Sequence, residues 1–106
     1  LTARALPSDR FVFEGFLPKK KGRQTRLREL ATEPRTFVLY ESPHRLLRTL
    51  DDLMEHLGAD RQAAVARELT KTYEEIERGT LSEVRSYFGG YTKVRGECVI
   101  VIHGAS

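Results

Sequence analysis

Two short polar stretches follow apolar runs and hold most of the side chains able to do chemistry: Tyr40-Glu41-Ser42-Pro43-His44-Arg45 and Arg67-Glu68-Leu69-Thr70-Lys71. In open α/β sheets ligands settle beyond the carboxyl ends of strands, where helix N-termini also offer free N–H groups, so carboxylates and guanidinium groups placed there suit a polar ligand. The same residues suit ion pairs that merely fasten loops, and the residue types leave both roles open. A third stretch is basic: Lys19, Lys20, Lys21, Arg23, Arg26 and Arg28 carry six of the chain's 18 positive charges with no acid between them. Clustered Lys and Arg neutralise phosphates and release counterions on binding nucleic acid; the alternative is a solvated face. Phosphate contacts would position such a ligand without reading its sequence.

Other chemistries lack their residues. His44, His56 and His103 stand far apart, with a single cysteine and no His-x-x-x-His pair, so no metal site is expected. No Walker lysine loop, Gly-x-Gly-x-x-Gly turn or Gly-x-Ser-x-Gly elbow occurs, which removes support for nucleotide hydrolysis, Rossmann dinucleotide binding and lipase-type chemistry. Cys98 cannot form an internal disulfide; inside an apolar run it reads as a small buried hydrophobe, and a reducing compartment fits it best.

Length and composition set the frame. At 106 residues, 40% hydrophobic and 31% charged, the chain predicts one folded core rather than disorder. Its longest apolar run, residues 98–102, falls far short of the roughly 20 residues of a membrane-spanning helix. Leu1 in place of Met, followed by no long apolar segment, is read as the start of a piece cut from a larger cytoplasmic enzyme, not as a secretory leader.

The polar stretches need a sheet to hold them. Residues 11–13 and 15–17 predict a strand closed by Pro18, and residues 23–32, with Leu27, Leu30 and Ala31 at helical spacing, a helix stopped by Pro34. Residues 36–40 alternate little, as in a central strand covered on both faces. Ser42 as N-cap and Pro43 in the first turn then open a helix with one stripe of Leu46, Leu47, Leu50, Leu53, Met54 and Leu57, ended by Gly58 as a left-handed cap. Residues 63–67 read as a second buried strand reached by a right-handed parallel crossover, and residues 73–78 as a polar strand nearer an edge, broken by Gly79. Thr80-Leu-Ser-Glu83 has capping-box spacing and opens a helix carrying Leu81, Val84, Tyr87 and Phe88. Residues 97–102 give the strongest strand signal and should be central. The expected fold is α/β, a mixed sheet of about five strands with three helices.

Taken in order, Gly15-Phe-Leu-Pro-Lys-Lys-Lys-Gly22, Tyr40-Glu-Ser-Pro-His-Arg45, Ala66-Arg-Glu-Leu-Thr-Lys71, Arg78-Gly-Thr-Leu81 and Arg95-Gly-Glu97 resemble the tetrapyrrole methylase family, and within it the branch that methylates ribosomal RNA. The resemblance runs from Leu1 to Gly104. It implies that residues 1–106 are the C-terminal domain of a two-domain enzyme, usually a homodimer, that binds S-adenosylmethionine between its domains; the N-terminal domain is missing here. It implies a ribose 2′-hydroxyl of 16S ribosomal RNA in the small ribosomal subunit as the methyl acceptor. By position it assigns Pro18, Tyr40, Ala66, Arg67, Leu69 and Glu97 to the cofactor and leaves Lys19, Lys20, Lys21, Arg23 and Arg26 as the RNA-facing lip. It assigns no catalytic acid or base and no metal. A methylase of the same fold acting on a tetrapyrrole, or a noncatalytic RNA-binding or dimerisation module, are the competing expectations.

Overall fold

The computed structural model describes residues 11–68, 73–90 and 96–105. In chain order they form β1 (Phe11–Phe16), α1 (Arg23–Ala31), β2 (Thr36–Glu41), α2 (Leu46–Leu57), β3 (Gln62–Glu68), β4 (Tyr73–Thr80), α3 (Leu81–Gly89) and β5 (Cys98–Ile102). The sheet order is β1-β2-β5-β3-β4, with β1 parallel to β2 and all other pairs antiparallel. The expected mixed sheet of five strands with three helices is therefore present among the described residues, with the apolar β5 at its centre. β2 and β3 run parallel as the strand, helix, strand succession predicts, yet they are not neighbours, because β5 lies between them. Among the described residues no helix is long and apolar enough to cross a membrane.

Alternation along the strands sorts the side chains. Phe37, Leu39, Val65, Ile100 and Ile102 are fully buried and pack with Leu27 and Leu30 of α1, Leu46, Leu50 and Leu53 of α2, and Leu81, Val84 and Phe88 of α3. The other face carries Phe13, Phe16, Tyr40 and Ile76, all exposed. β2 is thus covered on both faces only up to Leu39, and Tyr40 emerges. A bulge makes this arrangement: the pairing shifts between Phe13 and Gly15, so Phe13 lies opposite Val38 and Phe16 opposite Tyr40 on one face. Regular alternation would have sent Phe16 to the helical side.

Three local expectations need correction. α2 begins at Leu46 with no side-chain cap; residues 42–45 form a turn in which the Arg45 N–H donates to the Ser42 carbonyl at 3.1 Å, so Ser42 and Pro43 precede the helix instead of opening it. Gly58 has φ 101° and ψ 142°, positive but not the helical left-handed form. Gly79 does not break β4, which pairs on to Thr80. A methyl group there would stand 2.7 Å from Glu83 Oε1, so glycine leaves room for the carboxylate of the capping box. That box is complete: Thr80 Oγ1 accepts from the Glu83 N–H at 3.1 Å, and Glu83 Oε1 accepts from the Thr80 N–H at 2.8 Å.

Cys98 is buried as expected, and burial pushes its thiol up to about 11. Since the folded value lies above the unfolded one, its contribution to stability is complete below the ordinary thiol range and is lost as pH rises toward 11. Thiol-reagent labelling at pH 8 should accordingly be far slower in the folded chain than in urea. Thr80→Ala should cost about 1 kcal/mol in urea unfolding, and Leu50→Ala about 2–5 kcal/mol, both with an unchanged m-value.

Candidate functional site

β1, β2 and β3 all point the same way and β5 points back, so the turn after β1, the turn after β2, the end of β3 and the start of β5 meet at one edge of the sheet. Two rows of paired residues cross the sheet there. On the exposed face the register reads Phe16, Tyr40, Val99, Ala66, Ile76; on the helical face, one step nearer the strand ends of β2 and β3, it reads Glu41, Cys98, Arg67, Glu75. Tyr40 and Ala66 therefore flank Val99, and Arg67 lies beneath them on the other side of the sheet. Glu97 just precedes β5, and its carbonyl accepts from the Glu68 N–H at 3.0 Å. Gly96 has φ 86°, and a methyl group there would fall onto the Glu68 carbonyl, which accounts physically for the glycine between Arg95 and Glu97. Of the residues expected at the cofactor, Pro18, Tyr40, Ala66, Arg67 and Glu97 are brought to this edge. Leu69, like Thr70, Lys71 and Arg95, lies outside the described residues.

The aromatic corner of the edge is built. Phe13 and Phe16, 60% and 62% exposed, set their rings edge-on to Tyr40 with centroids 5.1 and 5.7 Å away. Beyond it, Lys19, Lys20 and Lys21 are all exposed. The arginines of the basic run part company with these lysines. Arg23 is 3% exposed and turned inward, donating to Asp52 Oδ2, the Pro18 carbonyl and Thr49 Oγ1, each at 3.0 Å. It is not on the RNA-facing lip, because its guanidinium has three internal acceptors to satisfy. Arg26 pairs with both Glu14 and Glu29, which hold it cationic well above its ordinary range; its side chain stays one-third exposed. Arg28 is exposed and bonds Thr25 at 3.3 Å.

The strand-end acids and bases divide in the same way. Glu41 is buried; it accepts from the Ser42 N–H at 2.8 Å and from Thr49 Oγ1 at 2.5 Å. Arg67, also buried, pairs with Glu75, whose other oxygen takes the Tyr87 hydroxyl. These groups follow the loop-fastening reading. Arg45 does not: its Nη2 is buried with no hydrogen-bond acceptor among the described residues. A donor left so costs about 1–3 kcal/mol unless something beyond these residues accepts from it. His44 is exposed, and His56 Nε2 shares a 2.7 Å hydrogen bond with Gln24. Among the described residues no three metal-ligating side chains gather.

Sequence reasoning missed Thr49 and Asp52. Thr49 carried a faint signal, a hydroxyl standing among Leu46, Leu50 and Leu53 in the apolar stripe of α2, where a polar group needs partners. Nothing local marks Asp52 as the partner of Arg23.

Known proteins resemble this chain in sequence and in fold. Relatives named ribosomal RNA small subunit methyltransferase I are 52% identical in Synechocystis sp. over 100% of this chain, and 48% identical in Pseudomonas aeruginosa over 98% of it. The chain spans 38% of the length of each. Among solved structures, the methyltransferase CobJ superposes with a TM-score of 0.62 at 20% identity, over 97% of this chain and 46% of CobJ. Uroporphyrin-III C-methyl transferase from Thermus thermophilus, complexed with S-adenyl homocysteine, gives 0.56 at 20% identity, over 93% and 47% of the two chains. Those likenesses establish the fold. The sequence profile of the Tetrapyrrole (Corrin/Porphyrin) Methylases matches residues 2–85, most of the chain, and the chain belongs to that family.

Proposed function

We propose that residues 1–106 are the C-terminal domain of a two-domain methyltransferase that uses S-adenosylmethionine to methylate a ribose 2′-hydroxyl of 16S ribosomal RNA. The observation that carries this reading is identity of 48% and 52%, along essentially the whole chain, to proteins named ribosomal RNA small subunit methyltransferase I. The CobJ and uroporphyrin-III enzymes stand at 20% identity and bear on fold alone, so a tetrapyrrole substrate has weaker support. The partners are the small ribosomal subunit, the N-terminal domain of the same protein and a second copy in a homodimer; the setting is the cytoplasm.

The edge of the sheet fits the cofactor. Phe16, Tyr40, Val99 and Ala66 offer an apolar row for a flat base, and the buried Arg45 Nη2 lacks, among the described residues, an acceptor that a bound group or the N-terminal domain would supply. When bound, S-adenosylmethionine supplies an already activated methyl group, whose transfer to a ribose hydroxyl releases S-adenosylhomocysteine and a proton. Pro18, Tyr40, Ala66, Arg67, Leu69 and Glu97 would hold the adenosine side, Arg67 through the backbone because its side chain is committed to Glu75. Lys19, Lys20 and Lys21, with the exposed part of Arg26, would hold RNA phosphates beside it. The work of these residues is alignment and exclusion of water, and alignment alone lowers such barriers by several kcal/mol. No residue of this chain is assigned to accept the proton.

Replacing Lys19, Lys20 and Lys21 by Ala in the full-length protein should weaken RNA binding and reduce the slope of log affinity against log salt by about 2, from roughly 0.7 per lost phosphate contact on single strands. Cofactor affinity should be unchanged; an unaltered salt slope would count against the lysine lip. Arg45→Met should leave the thermal stability of residues 1–106 unchanged or higher, since it removes an unsatisfied donor, while lowering methyl transfer by the full-length enzyme. A clear loss of stability in the short chain would contradict that account of Arg45.

A further inference from the structure

We infer that Arg23 is a positioning residue for the cofactor side of the site, locking the Pro18 turn and the end of β2 into one geometry; the inference rests on the methyltransferase reading above. Its guanidinium serves three acceptors at once: Nε donates to Asp52 on α2, Nη1 to the Pro18 carbonyl and Nη2 to Thr49 on α2. The Thr49 hydroxyl has a single proton, which goes to Glu41 Oε2 at 2.5 Å, so Thr49 accepts from the cation and donates to the carboxylate. Glu41 Oε1 in turn holds the Ser42 N–H at 2.8 Å. One buried chain of hydrogen bonds thus runs from the Pro18 carbonyl through Arg23, Thr49 and Glu41 to Ser42. Pro18, a proposed cofactor contact, stands at one end, and Tyr40, another, immediately precedes Glu41 near the other.

The chemistry of the links decides what the chain does. Bonds that involve a guanidinium or a carboxylate are stronger than neutral ones, and in a low-dielectric interior they reinforce one another. Apolar packing at the same place would tolerate several loop positions, whereas a fork with three fixed acceptors tolerates one. Arg23 brings a positive charge into this network, paired with the Asp52 carboxylate and linked to Glu41 through Thr49, and a lysine there would keep the charge but could not reach all three acceptors. The arginine of the basic run that is hidden from RNA thereby ties the turn carrying Lys19 to the strand end carrying Tyr40.

The test uses the full-length methyltransferase with Arg23→Lys, Thr49→Val and Thr49→Ser. Steady-state constants are measured for S-adenosylmethionine and for small-subunit RNA, with melting temperature alongside. Arg23→Lys and Thr49→Val should each raise KM for S-adenosylmethionine about tenfold while kcat at saturating cofactor stays within about twofold, and Thr49→Ser, which keeps the hydroxyl, should restore the wild-type KM. If both disruptive variants keep the wild-type KM and only melt earlier, Arg23 is a fastener of the fold and the inference is overturned. Absence of RNA methylation by the wild-type protein would instead strike the underlying reading, and this inference with it.

Discussion

The antiparallel placement of β5 between β2 and β3 is the constraint on which the rest depends. A parallel pairing of β2 with β3 would have brought the two polar strand ends together directly. With β5 between them the gap is filled by Cys98 and Val99, and the Gly96–Glu97 approach enters the same edge from the opposite direction. Four separate segments thereby contribute to one rim. Because β5 is the most apolar strand, burying it at the centre of the sheet and assembling that rim are one event, and the hydrophobic effect that drives the first also secures the second.

The two faces of the rim do different work. On the helical side Glu41, Arg67 and Arg23 are buried; the two arginines pair with Glu75 and the partly buried Asp52, and Glu41 accepts from Ser42 and Thr49. On the open side lies the aromatic corner of Phe13, Phe16 and Tyr40, and the turn after β1 adds three exposed lysines. With the polar network beneath, the open face is left free of the groups that stiffen the rim. Arg45 is the exception, a buried nitrogen on the turn after β2 that nothing among the described residues satisfies.

Much of this was readable from residues alone, for identifiable reasons. The five strands and three helices, the α2 stripe, the capping box at Thr80 and the buried Cys98 all rest on local patterns of short range, and each is present. The resemblance in the five quoted motifs also pointed to the right family. What was not legible depends on partners distant in sequence. The bulge that sets Phe13 and Phe16 on one face appears only in the pairing with β2, and the start of α2 at Leu46 follows from a turn that Ser42 and Pro43 make first. Arg23 looked like its neighbours in the basic run because its acceptors, Thr49 and Asp52, lie a helix away. Among six bases without an acid, composition could not tell which guanidinium turned inward.

The most direct test of the account is methyl transfer by the full-length protein from labelled S-adenosylmethionine to small-subunit RNA, followed by alkaline hydrolysis. The account predicts label in RNA at a linkage that resists alkali, since a methylated 2′-oxygen cannot attack the neighbouring phosphate. Label on a base, on a tetrapyrrole but not on RNA, or nowhere, would contradict it.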